Sequence, residues 1–97
     1  MNTATLNLFN KAQELGAVTF RKHQIETYGL YGKVKENFSY HFFDNNDEEV
    51  CYYIVSLQDL GLKTFEEPRV WSDEFKRHPS YTQPQRVDEY LFAWQNL

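Results

Sequence analysis

The chain has 97 residues, a net charge of −4, and 41% hydrophobic and 18% aromatic content. That length makes one domain, residues 1–97, with one core, and the aromatic content excludes a chain too poor in apolar groups to fold. No run approaches the ~20 apolar residues that cross a bilayer, the N-terminal MNTATLNLFNKAQELG lacks the basic start and apolar centre of a secretory signal, and the single Cys51 allows no internal disulfide; a cytoplasmic protein is expected.

In chain order, Thr5, Leu8, Phe9, Ala12 and Leu15 recur at the 3.6-residue period and predict a helix over 3–15. Asn2 or Thr3 is its cap and Gly16 its stop. AVTFRKHQI, residues 17–25, alternates weakly and reads as either a first strand or more helix. TYGLYGKV places Gly29 and Gly32 among Tyr28, Leu30, Tyr31 and Val34, which suggests a bulge, a bend or a tight backbone approach. NFSYHFF alternates, with Phe38, Tyr40 and Phe42 on one side and Asn37, Ser39 and His41 on the other. VCYYIVSL is a nearly continuous apolar run, as in a strand covered on both faces. Between them DNNDEE sets Asp44-Asn45-Asn46-Asp47 at a turn, because Asn and Asp tolerate turn dihedrals and bond their own backbone. An antiparallel hairpin follows.

QDLGLKTFEEPRV reads as a connection with a turn at Gly61 and an extended residue before Pro68. Ser72 is placed to cap a short helix through WSDEFKRH, with acids at its start and bases at its end. PQRVDEYLFAWQNL opens on Pro84 at a first-turn position and carries Val87, Tyr90, Leu91 and Trp94 on one stripe. The expected fold is therefore α+β: a small antiparallel sheet of three to four strands, with an N-terminal helix and one or two C-terminal helices packed on it. A winged-helix arrangement drawn from residues 3–27 is the alternative.

The charge is uneven. Residues 1–43 balance to +2 and residues 44–97 to −6. An acidic chain has little general affinity for nucleic acid, although Arg21, Lys22, Lys33 and Lys35 form a candidate basic patch for a nucleic-acid-binding regulator. A calcium loop starting at Asp44 fails, since it lacks its glycine and Val55 stands where the closing Glu belongs. His23, His41 and His78 lie far apart in the chain with no second ligand at metal spacing, so no metal and no cofactor are expected. Cys51 in its apolar run reads as buried and unreactive, which argues against a Cys51–His41 nucleophile pair. Every carboxylate reads as solvated, so no enzyme activity is expected.

Tyr28, Tyr31, Tyr40, Tyr52 and Tyr53 crowd the strand region, and tyrosine is favoured at interfaces. Six extended residues span roughly 20 Å, so DNNDEE carries about one charge per 5 Å, against one per ~1.7 Å of duplex. A nucleic-acid mimic would need more acids on the same surface. Small, acidic, Tyr- and Phe-rich and free of catalytic motifs, the chain resembles the phage-encoded anti-CRISPR and related anti-defence inhibitors. The likeness lies in size, charge and composition and carries over no residue. It implies stoichiometric inhibition of a host nucleic-acid machine; toxin immunity proteins have a similar profile.

The leading expectation is a non-enzymatic inhibitor that binds a basic nucleic-acid-handling protein, without contacting nucleic acid or membrane itself. Asp44, Asp47, Glu48 and Glu49 are its candidate contacts, with Glu66, Glu67, Asp73 and Glu74 extending them. A small-molecule or enzymatic domain with a cleft near His41 and Tyr52 is the alternative.

Overall fold

A computed structural model describes residues 3–29, 32–55 and 61–95, with the backbone alone for 4, 24–29, 32–37, 55 and 68. Helix α1 covers Thr3–Glu14. It closes as its sequence predicts: Gly16 takes φ 100°, Ala17 N–H donates to the Ala12 carbonyl and Gly16 N–H to that of Gln13. This is the six-to-one and five-to-two pattern of a left-handed helix end. Leu8, Phe9 and Ala12 are buried, whereas Leu15, past the helix end, is 45% exposed and belongs to no core.

Residues 17–25, open to either reading, are strand. β1 is Thr19–Gly29, β2 Gly32–Phe43, β3 Glu49–Val55, β4 Gly61–Arg69 and β5 Gln85–Arg86; α2 is Asp73–Lys76 and α3 Val87–Gln95. The strands form one antiparallel sheet in the order β4-β3-β2-β1-β5, five strands where three to four were expected. Of the glycine-bearing run, β1 and β2 pair as far as Gly29 opposite Gly32, with a register shift between Thr27 and Tyr28; Leu30 and Tyr31 lie outside the described residues.

Two segments depart from expectation. Residues 61–69 form an edge strand and not a connection. Glu66, Glu67 and Pro68 look loop-like, but an edge strand accepts proline and charge because one side has no ladder to complete. Residues 85–86 pair with Phe20 and Thr19, so α3 starts at Val87, whose N–H donates to the Val18 carbonyl, and not at Pro84. Ser72 caps α2 as expected, its hydroxyl accepting from Phe75 N–H, although the helix ends at Lys76.

Alternation gives the sheet two different faces. On one, α1 and α3 cover Phe20, Tyr40, Phe42 and Cys51, together with Val87 and Leu91. Phe9 is the hub: its ring meets Phe20, Tyr40 and Phe42 edge-on at 4.9, 5.2 and 5.0 Å and stacks on Tyr90 at 4.3 Å. The other face carries Arg21, His23, Ser39, His41, Phe43, Tyr52 and Phe65, and there His23, His41 and Phe43 meet Trp71 or Tyr81 of the segment 70–82, which carries α2. That segment is tied to β1 by Thr82, whose N–H donates to the Lys22 carbonyl and whose Oγ1 accepts from Lys22 N–H, and by a bridge between His23 and Tyr81.

Phe9→Ala removes the ring that joins both helices to the sheet. A loss of about 3–5 kcal/mol in unfolding free energy is expected, read by urea denaturation, and a loss below about 1 kcal/mol would show that the hub is not there.

Candidate functional site

The second face carries a charge that water does not reach. Glu49, the first residue of β3, is 0% exposed. Its Oε2 accepts from His41 Nδ1 at 2.6 Å, and its Oε1 from the Arg69 guanidinium through Nε and Nη2. The same imidazole reaches the Ser39 hydroxyl through Nε2 at 2.7 Å. A neutral ring protonated on Nδ1 satisfies both contacts: Nδ1–H donates to Glu49, and Nε2 accepts from the Ser39 hydroxyl. One residue from each of β2, β3 and β4 thus meets at a single carboxylate.

Ser39, His41 and Glu49 have the order and spacing of a nucleophile, base and acid relay. Ser39, however, is buried in the middle of a central strand and does not line either cleft over this face. A reacting group has no approach to that hydroxyl, and the array works as a hydrogen-bonded support. Cys51 lies on the opposite face from His41, paired in register with Phe42. Burial, then the Glu49 charge, push its thiol up to about 12, so the two are no nucleophile pair.

Aromatic rings build the wall around the network. His41 stacks on Tyr52 at 5.7 Å, and Tyr52 on Phe65 at 5.4 Å. The Arg69 guanidinium lies 4.8 Å from the Tyr52 ring centre and 4.6 Å from that of Phe65. Trp71 meets His41, Phe43 and Tyr81 in T-shaped contacts at 5.2, 5.3 and 5.1 Å. Between these groups opens a cleft of about 250 Å³, lined by His41, Arg69, Val70, Trp71, Phe75 and Tyr81. A second cleft, of about 190 Å³, shares Arg69, Val70 and Trp71 and is closed by Asn46, Asp47, Glu48 and Lys76. Tyr52, the expected partner of His41 at a cleft, stands behind Arg69 and lines neither.

The turn residues divide by role. Asp44 Oδ1 accepts from the Asn46 and Glu48 N–H groups at 2.8 and 3.1 Å, so it holds the turn's own backbone. Asp47 sits at φ 60°, where Asp is tolerated, and pairs with Arg21 at 3.2 Å and Lys76 at 2.7 Å. Partial burial would raise its carboxyl, but the bonds and charges of Lys76 and Arg21 outweigh that and hold it below 3.8. Glu48 is exposed. Glu49 corrects the expectation that every carboxylate is solvated: it starts a strand covered on both faces, so no partner can reach it. Glu66 and Glu67 are exposed on the edge strand, and Asp73 and Glu74 are exposed on α2. Among the described residues Glu48, Glu66, Glu67, Asp73 and Glu74 make no ion pair.

The basic patch is divided as well. Arg21 is buried under the Asp47 turn against Phe43, while Lys22, on the opposite face, lies over Phe38 at 4.2 Å. The side chains of Lys33, Lys35 and Tyr28, and Tyr31 as a whole, lie outside the described residues.

The three histidines, far apart in the chain, gather around Tyr81: His23 stacks on it at 4.2 Å, with His41 at 5.9 Å and His78 at 6.5 Å. Among the described residues no group of three His, Cys, Asp or Glu could hold a metal ion, and no helix is long and apolar enough to cross a membrane. Sequence spacing hid both Arg69 and this gathering. The His41–Glu49 contact did have a signal, since both flank the same turn. Neither a family model, nor a curated protein, nor a solved structure matches the chain.

Burial, then His41 and His78, hold His23 below its ordinary value of 6.5. Below 6.5 the unfolded chain binds a proton that the folded chain resists, so stability falls as pH drops through that window. Thermal unfolding between about pH 7.5 and 5 is expected to show a falling midpoint, and His23→Gln to flatten it; an unchanged slope in that variant would exclude His23 as the source. Glu49→Gln leaves a buried amide that cannot match the contacts to His41 and Arg69, while Arg69, 44% exposed, keeps access to water; a loss of about 1–3 kcal/mol in urea denaturation is expected. Exposed Glu48→Gln should stay within about 0.5 kcal/mol of the parent.

Proposed function

We propose that the protein is a non-enzymatic binding protein that occupies a basic, nucleic-acid-handling partner. Its docking surface is the end of the sheet where the β2–β3 turn, the end of β4 and α2 meet. The observation that carries this reading is Val70, 99% exposed between two clefts, with Phe75 beside it at 62%. Exposed apolar side chains over an aromatic floor, with charge at the rim, have the anatomy of an interface.

Glu48, Asp73 and Glu74 supply that rim, while Arg69 and Lys76 are engaged by Glu49 and Asp47. Carboxylates left without an internal cation steer a basic surface into place, and apolar contact supplies most of the affinity. Of the four turn carboxylates, Asp47 is neutralised from within and Glu49 is buried. This favours an acidic-rimmed apolar contact over outright imitation of a nucleic-acid backbone. An anti-defence inhibitor and an immunity protein against a nuclease toxin use the same physics and differ only in the partner.

A pull-down from host lysate is expected to recover a basic nucleic-acid-binding protein, and salt is expected to slow its association. The triple variant Glu48→Lys, Asp73→Lys, Glu74→Lys should lower the association rate by ten-fold or more, on the order expected for lost steering. Val70→Ser should act mainly on dissociation. Recovery of no basic protein, or binding indifferent to salt and to the triple variant, would overturn the proposal.

A further inference from the structure

We infer that the cleft lined by His41, Arg69, Val70, Trp71, Phe75 and Tyr81 is a binding site for a small aromatic carboxylate. The inference concerns a ligand different from the basic partner and stands whether or not that partner exists. Three observations carry it: the size of the cleft, the composition of its walls and the state of its one full cation.

The cleft measures about 250 Å³. An apolar cavity of ~150 Å³ takes one benzene ring, so this one has room for a ring with a carboxylate on it. Val70, Trp71, Phe75 and Tyr81 offer apolar and aromatic faces for the ring. Arg69 sits in the same wall. Its Nε and Nη2 are on Glu49, its Nη1 has no partner among the described residues, and its side chain is 44% exposed. Tyr52 and Phe65 hold the guanidinium plane in place, so its remaining donors are oriented before any ligand arrives. A fixed guanidinium edge recognises a planar anion better than a mobile ammonium does.

The network beneath gives the cation a reason to be there. A buried ion pair adds little to stability over well-packed apolar side chains. What the Ser39–His41–Glu49 series does is fix Arg69, through its own carboxylate, at the mouth of an aromatic cleft. A neutral ring would gain the walls but not the donors, and a cationic ring would meet Arg69 head-on.

The test uses the full chain labelled with ¹⁵N, titrated with benzoate, benzamide and benzamidinium, and reads the Trp71 indole N–H. Benzoate is expected to shift it saturably, with a dissociation constant on the order of 1 mM, as suits so few heavy atoms. Benzamide should bind about ten-fold more weakly or worse, and benzamidinium should leave the resonance in place. Arg69→Lys keeps a charge over Glu49 while losing the fork and should weaken benzoate about ten-fold. Phe75→Ala, at an exposed wall position that leaves the fold intact, should weaken it several-fold. The triple variant of Glu48, Asp73 and Glu74 should not weaken it. A linear, unsaturating response, equal binding of benzoate and benzamide, or unchanged affinity in Phe75→Ala would each overturn the inference.

Discussion

A carboxylate shut away from water has to be met by donors or it unfolds its surroundings, and Glu49 is that carboxylate. Removing an ion from water costs several kcal/mol, so both of its oxygens are engaged, one by Arg69 and one by His41. These partners come from the two strands on either side of β3. Much of the second face follows from this one requirement. His41 is held flat against Tyr52, Arg69 is drawn across Tyr52 and Phe65, and Trp71 and Tyr81 pack on what results. The first face, centred on Phe9, is an ordinary apolar core. The second is held by charge as well as by rings, and both clefts open there.

The acidic half of the chain thereby acquires a geography. Asp44 is spent on the turn, Asp47 bridges Arg21 of β1 and Lys76 of α2, and Glu49 joins three strands. Asp88 pairs with Arg86 ahead of α3. Glu89 lies 4.0 Å from the same Arg86, and what is left over among the described residues, Glu48, Glu66, Glu67, Asp73 and Glu74, lies on the turn, the edge strand and the short helix. Negative charge that looked like a solvent coat is in part internal mortar, and only the remainder can act at a distance.

Local chemistry made several elements legible. Gly16 as a left-handed helix end, the Asp44–Asp47 turn and the Ser72 cap are each decided by a few neighbouring residues, and each was readable. β4 was not, because Glu66, Glu67 and Pro68 carry the chemistry of a loop, and only the pairing of residues 61–64 and Arg69 with β3 on either side of them carries the strand through. The start of α3 was misplaced for a similar reason: Pro84 suits a first helical turn, but Phe20 and Thr19 claim residues 85–86 for the sheet. At the site, His41 and Glu49 flank one turn, so their meeting was within reach of a register count. Arg69 and the three-histidine ring around Tyr81 depend on how β4 and the segment 70–82 return to the sheet, which no local pattern encodes.

Cys51 gives this architecture an internal clock. It is fully buried on the helix face, and its thiol is pushed up to about 12 by burial and by the Glu49 charge nearby. A thiol reagent therefore meets it only when α1 and α3 part from the sheet. The rate at which such a reagent consumes Cys51 counts openings of the Phe9-centred core, with one sulfur atom reporting a motion that surface probes on the cleft side would miss.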